Sequence, residues 1–173
     1  MLKFRSMVTL IVAILTLLLT TTNSFAMGSD DPYQNAQVGL TYQIYKPTYT
    51  AGLILNNFKL LNCGKDEMWL AAKYGEERNF QLYLNDARTH CSNPGLARRV
   101  LNKVIKGSKV SFFVFCPVKS IKCSIKELPN YGGYAITTLK GSKFYHISNA
   151  EILVSGINFT TLEKIILNLK PLN

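Results

Sequence analysis

Apolar and polar residues alternate in short runs along most of this chain, and Gly, Pro and Asn interrupt the runs too often for long helices. Residues 41–46 read Thr-Tyr-Gln-Ile-Tyr-Lys, a two-residue period that ends at Pro47, which has no N–H to give to a sheet ladder. Residues 53–61, 68–74 and 79–84 form three more strand-like runs, separated by Gly64-Lys65-Asp66 and Gly75-Glu76-Glu77, both of hairpin-turn composition. After the loop signal Ser92-Asn93-Pro94-Gly95 come residues 99–105, a Gly107-Ser108 turn and the run Val-Ser-Phe-Phe-Val-Phe at 110–115. Its aromatic and β-branched residues predict a central strand. Pro129-Asn130-Tyr131-Gly132-Gly133 is most simply a backbone turn, and residues 134–139 and 143–147 then flank Lys140-Gly141-Ser142 as a further hairpin.

The period changes near the C-terminus. Thr160 precedes Glu163 by three residues, a capping-box spacing, and Leu162, Ile165, Ile166 and Leu169 fall on one helical face before Pro171 stops the helix. Asn158-Phe159-Thr160 fits a glycosylation sequon, but a cap on this helix, from Asn158 or Thr160, is the preferred reading. Many short strands and one amphipathic helix, whose stripe needs a sheet to cover, predict an α+β fold. The expected organisation is a flexible lead-in at 27–37, polar and rich in turn formers, and a single domain at 38–173.

Residues 1–26 have the layout of a secretory signal peptide: Lys3 and Arg5, a short apolar core at 7–19, and Ser24-Phe25-Ala26 with small residues at the positions a signal peptidase reads. Cleavage after Ala26 is expected, with a retained membrane anchor and a tethered extracellular sensor as the alternative. Export makes the even set Cys63, Cys91, Cys116 and Cys123 a disulfide framework with three possible connectivities. The short separation of Cys116 from Cys123 favours a local staple, which leaves Cys63 for Cys91.

Without Lys3 and Arg5 the chain retains 18 basic against 10 acidic residues, about +8, and from Arg88 to Lys126 there are nine cations and no carboxylate. Outside a cell such a stretch would meet an anionic envelope polymer, a lipid headgroup or an acidic protein, while export argues against nucleic acid as partner. The expected binding residues are Arg98, Arg99, Lys103, Lys119, Lys122 and Lys126, with Tyr131 and Tyr134 flanking them as an amphipathic patch and peripheral membrane contact allowed. Chemistry finds little support. The two histidines, His90 and His146, are too few and too scattered for a metal signature, and no cofactor fingerprint is present. His90 adjoins a cysteine expected in a disulfide, His146 reads as an ordinary strand residue, and the chain is expected not to be an enzyme.

Gly141-Ser-Lys-Phe-Tyr-His-Ile-Ser followed by Gly156-Ile-Asn-Phe-Thr-Thr-Leu-Glu-Lys-Ile-Ile-Leu-Asn-Leu resembles the closing hairpin and helix of the secreted domains appended to Gram-positive anti-sigma factors, related to lipoprotein-sorting folds. Tyr45-Lys-Pro-Thr-Tyr49 and Gly52-Leu-Ile-Leu55 are similar to that family's opening, although Thr50-Ala51 stands where it has Leu-Pro, and the cysteines lie outside its pattern. The resemblance implies a curved antiparallel sheet with the C-terminal helix on one face, and it implies no catalytic residue.

Overall fold

In the computed structural model, residues 29–63, 67–89, 97–117 and 123–173 are described. The expected signal peptide, the Gly64-Lys65-Asp66 turn, the Ser92–Gly95 loop, His90, Cys91, Lys119 and Lys122 lie outside them. Seven strands form one antiparallel sheet: β2 (Leu55–Asn62), β3 (Met68–Gly75), β4 (Asn79–Asp86), β5 (Arg98–Ile105), β6 (Ser108–Val114), β7 (Gly133–Leu139) and β8 (Ser148–Ser155), in the order β2-β3-β4-β8-β7-β6-β5. The sheet is thus two meanders, β2–β4 and β5–β8, joined along β4 and β8 from Asn79↔Ser155 to Asp86↔Ser148. A small ribbon pairs β1 (Tyr45–Pro47) with β9 (Leu169–Pro171).

Strand register separates the two faces of the large sheet. Ala72, Leu82, Ile152, Ala135 and Phe112 lie in one row and are buried, as are Leu70, Leu84 and Ala150 in the next. Two helices cover this face. α3 (Phe159–Leu167) sets Leu162, Ile165 and Ile166 against it, with the Phe159 ring 5.0 Å from Phe112. α1 (Pro32–Val38) inserts Tyr33, whose ring lies 4.9 Å from Phe58 and whose hydroxyl is 2.7 Å from that of Tyr74.

Within the segment expected as a flexible lead-in, 27–37, residues from Pro32 onward form α1. Asp31 caps it by accepting from the Tyr33 N–H at 3.1 Å, and Pro32 sits in its first turn. Its buried Gln37 accepts from the Ile44 N–H (2.7 Å) and donates to the Tyr42 carbonyl (2.9 Å), which ties the next segment down. A seven-residue helix is marginal alone; burial of Tyr33 is what holds it.

The last hairpin also differs. Residues 143–147 are not a strand of this sheet; His146 makes an isolated bridge with Tyr42, and β8 begins at Ser148, because Ala150, Ile152 and Val154 supply the buried alternation that pairs with β4. α3 is capped by Asn158, which accepts from the Thr161 N–H at 2.9 Å, so Thr160 forms no capping box. The helix ends at Leu167, ahead of Pro171, and Leu169 enters the core from β9. Between β6 and β7 lie a 3-10 turn (Ile125–Glu127) and α2 (Leu128–Tyr131), and then Gly132 at φ +70°. A Cβ on Gly133 would fall 2.1 Å from the Phe113 carbonyl oxygen, so β7 can open only with glycine there.

Cys116 and Cys123 form a disulfide. Cys63 is disulfide-bonded as well, and its expected partner, Cys91, lies outside the described residues. Among the described residues no helix is long and apolar enough to cross a membrane.

Candidate functional site

The sheet face opposite the helices carries the cations that strand alternation aims away from the core. β5 is an edge strand with a bulge at Val100, so Arg99 pairs with Phe113 whereas Leu101 pairs with Phe112. Arg99, Asn102 and Val104 consequently share the outer face with Lys109 and Ser111 of β6. They bound a groove of about 480 Å³, and no carboxylate is among its lining residues. Ser111 donates to the Asn102 side-chain oxygen at 2.9 Å, which orients the amide between the two cations. The Arg99 guanidinium sits 5.2 Å from the Phe113 ring centroid, and Phe113 stacks on Tyr134 at 4.6 Å with 13° between planes. This arrangement fixes a guanidinium over a rigid aromatic base, which favours an anionic group that offers two oxygens to its fork, such as carboxylate or phosphate.

Only part of the expected binding set meets here. Arg98 stands at the end of β5 opposite Val114, on the helix-covered side of the register. Lys103 borders the groove as well, but its Nζ lies 2.6 Å from Glu163 on α3 and 5.9 Å from the Phe159 ring, so its charge is already answered. Lys106 donates to the Leu167 carbonyl at the end of α3, a favourable place for a cation. Lys126 lies in the 3-10 turn, exposed, and Tyr131 is exposed on α2. Tyr134 corrects the expectation of an exposed flanking aromatic: it is buried, packed between Phe113 and Phe115, and serves as the floor under Arg99. Burial and the Glu151 carboxylate raise its phenol pKa, and Arg99 opposes them.

A second aromatic pair occupies the other half of the outer face. Trp69 stacks on Tyr83 at 5.1 Å beside a cleft of about 310 Å³ edged by Lys59, Lys73 and Gln81. The Tyr83 hydroxyl donates to Gln81 at 2.6 Å, while the Trp69 indole Nε1 is buried without a hydrogen-bond partner among the described residues.

One cluster escaped the sequence reading. At the end of β4 the buried Asp86 accepts from the Arg88 backbone N–H (2.9 Å), its Nε (3.0 Å) and its Nη2 (2.7 Å), and Asp86 Oδ2 lies 3.1 Å from His146 Nδ1. The Arg88 guanidinium leads the causes that hold the Asp86 carboxyl down at about 2. Arg88 Nη2 is also 2.6 Å from His146 Nδ1, which accepts from Arg88 when it carries no proton and donates to Asp86 when it does. With both carboxylate oxygens already engaged by arginine, Asp86 is built to pin the 86–89 turn and the 140–147 segment together. The only sequence signal was Asp86-Ala-Arg88, two opposite charges spanning a tight turn. Among the described residues no three His, Cys, Asp or Glu side chains converge as metal ligands.

No protein-family model, curated protein sequence or solved structure matches this chain.

Proposed function

We propose that this chain is an exported, non-enzymatic binding domain that engages an anionic envelope polymer through the outer-face groove of β5 and β6. What carries the reading is the groove itself: Arg99 and Lys109 on either side of Asn102 and Ser111, with no carboxylate in the lining, on the face that α1 and α3 leave uncovered. A repeating polyanion suits two cations presented along an edge better than a single small ligand does, because each contact is weak and screened by salt and only repetition accumulates affinity. The disulfides suit an oxidising compartment. The relation to the secreted domains of anti-sigma factors, with their curved sheet, belongs to the same proposal; its support is the β8 strand leading into the Asn158-capped helix.

The test is binding of poly(glycerol phosphate) and of polyglutamate to the chain from Met27 onward, followed across ionic strength. Arg99→Ala with Lys109→Ala is expected to weaken binding at least about tenfold, in line with two charge-assisted contacts, and to flatten its salt dependence. Unchanged affinity in that double variant, or binding insensitive to salt, would remove the proposal.

A further inference from the structure

We infer that the end of the molecule formed by residues 140–147 docks on an anionic phospholipid surface, with Phe144 as the inserted side chain. This inference does not rest on the β5–β6 groove, which lies elsewhere on the sheet.

Eight residues join β7 to β8 where two would close a hairpin; His146 and Ile147 pair with Thr41, Gln43 and Ala87, and residues 142–144 form an exposed tip. At that tip Phe144 is 77% exposed, and at its base Ile147 is 51% exposed, whereas every other phenylalanine among the described residues is at least partly buried. Lys140 and Lys143 flank them, and Lys143 Nζ lies 4.8 Å from the Phe144 ring. Arg88 joins from the end of β4, lining with Lys140 and Tyr145 a cleft of about 640 Å³. A neighbouring cleft of about 390 Å³ is bordered by Gly39, Leu40, Met68 and Arg88. Around it Met68 is partly exposed, and Val38, just before Gly39, is 89% exposed. The same end thus presents several separate apolar side chains among cations. Its carboxylates are Asp86, which pairs with Arg88 so that the two charges cancel, and Glu67, which borders the neighbouring cleft; Lys140 and Lys143 are the cations of the tip itself.

The tip is stiff, which separates it from an ordinary loop. Ser142 N–H donates to the Tyr145 carbonyl at 2.8 Å, and Ser142 Oγ accepts from the Phe144 and Tyr145 N–H groups at 3.3 and 3.2 Å. The Tyr45 hydroxyl donates to the Lys140 carbonyl at 2.8 Å. His146 is held on three sides, its N–H donating to the Thr41 carbonyl, its carbonyl accepting from Gln43, and its ring facing Asp86. A preorganised tip loses little conformational freedom on insertion. Discrete protruding side chains ringed by lysine fit a lipid interface, where an aromatic ring sits at headgroup level and lysine ammonium groups meet the phosphates. A protein partner would call for a continuous apolar groove instead.

The experiment is co-sedimentation of the chain from Met27, which retains the whole buried core and lacks the apolar 7–19 run, with vesicles of phosphatidylcholine alone or enriched in phosphatidylglycerol. The expected result is binding to the phosphatidylglycerol vesicles only, a loss of about tenfold in Phe144→Ala, and abolition in Lys140→Glu with Lys143→Glu. Phe144→Trp should retain binding and add an emission component that shifts to the blue and is quenched by brominated lipid. Near-UV circular dichroism checks that each variant is folded; these exposed positions leave the core untouched. Equal binding by Phe144→Ala, no preference for the anionic lipid, or a Phe144→Trp emission that ignores the vesicles would each overturn the inference. Vesicle binding lost in Arg99→Ala with Lys109→Ala but kept in Phe144→Ala would move the lipid to the groove and equally overturn it.

Discussion

The two faces of the seven-stranded sheet are built from alternate residues of the same strands, yet they obey different constraints. Across one face the row Ala72, Leu82, Ile152, Ala135, Phe112 combines small and large apolar side chains, and α1 and α3 close over it. One step away, the row Lys73, Gln81, Leu153, Tyr134, Phe113, Arg99 runs from cation through polar and aromatic residues to cation. The first row answers to packing volume, since close-packed interiors register the loss of a single methylene. The second answers to whatever meets it, and its buried aromatics serve to hold charges in place. The difference teaches where function can change without loss of the fold.

Truncation of a side chain separates the two faces most strongly. Ile152→Ala should cost about 2–5 kcal/mol, because it opens a cavity in the middle of the covered face. Leu153→Ala, its half-buried neighbour on the outer face, should cost about 1 kcal/mol in the same urea denaturation experiment. Equal costs would mean that the two faces are not distinct.

Asp86, at the end of the covered face, sharpens the contrast through pH. Its carboxyl is held at about 2 against an ordinary value of 3.8, so the unfolded chain binds the proton more readily. The stabilisation, about 2 kcal/mol, is complete above pH ~4 and disappears as pH falls toward ~2. Urea midpoints measured across that window should fall in the wild type and lie flat in Asp86→Asn, which is also weaker at neutral pH.

Smaller effects follow at the helix and at the edge. Asn158→Ala should lose about 1 kcal/mol and Thr160→Ala much less, which thermal unfolding would separate. Arg99→Ala should alter stability by no more than about 0.5 kcal/mol while weakening polyanion binding, which assigns the outer face to recognition. A clear loss of stability there would make Arg99 a structural residue.

Much of the sheet was legible because alternation and turn residues agree locally. Strands β2, β3, β4, β6 and β7 fall close to their expected positions, and the terminal helix keeps the stripe of Leu162, Ile165 and Ile166. β8 was missed for a definite reason: residues 143–147 alternate as well as Ser148–Ser155 do, and only the eight rungs shared with β4 select the later run. α1 was missed because seven residues carry too little period, and the contacts of Tyr33 with Phe58 and Tyr74 arrive from distant sequence. The candidate groove was half legible. Arg99 stood out as a cation, but the bulge at Val100 and the docking of α3 decide that it faces out with Lys109 while Lys103 is claimed by Glu163.

Taken alone, the sequence determined what depends on neighbours a few residues apart: strand-forming alternation, the sites of turns, the amphipathic terminal helix, the Cys116–Cys123 pairing and the surplus of cations in its middle. The tertiary structure alone decided that β8 lies between β4 and β7, that Tyr134 becomes a buried floor, that Asp86, Arg88 and His146 meet, and that Phe144 stands exposed on a braced tip. Local propensity is a property of a few dihedrals and can be read residue by residue. Burial, strand order and the pairing of charges are settled by contacts across the whole chain, which exist only once it has folded.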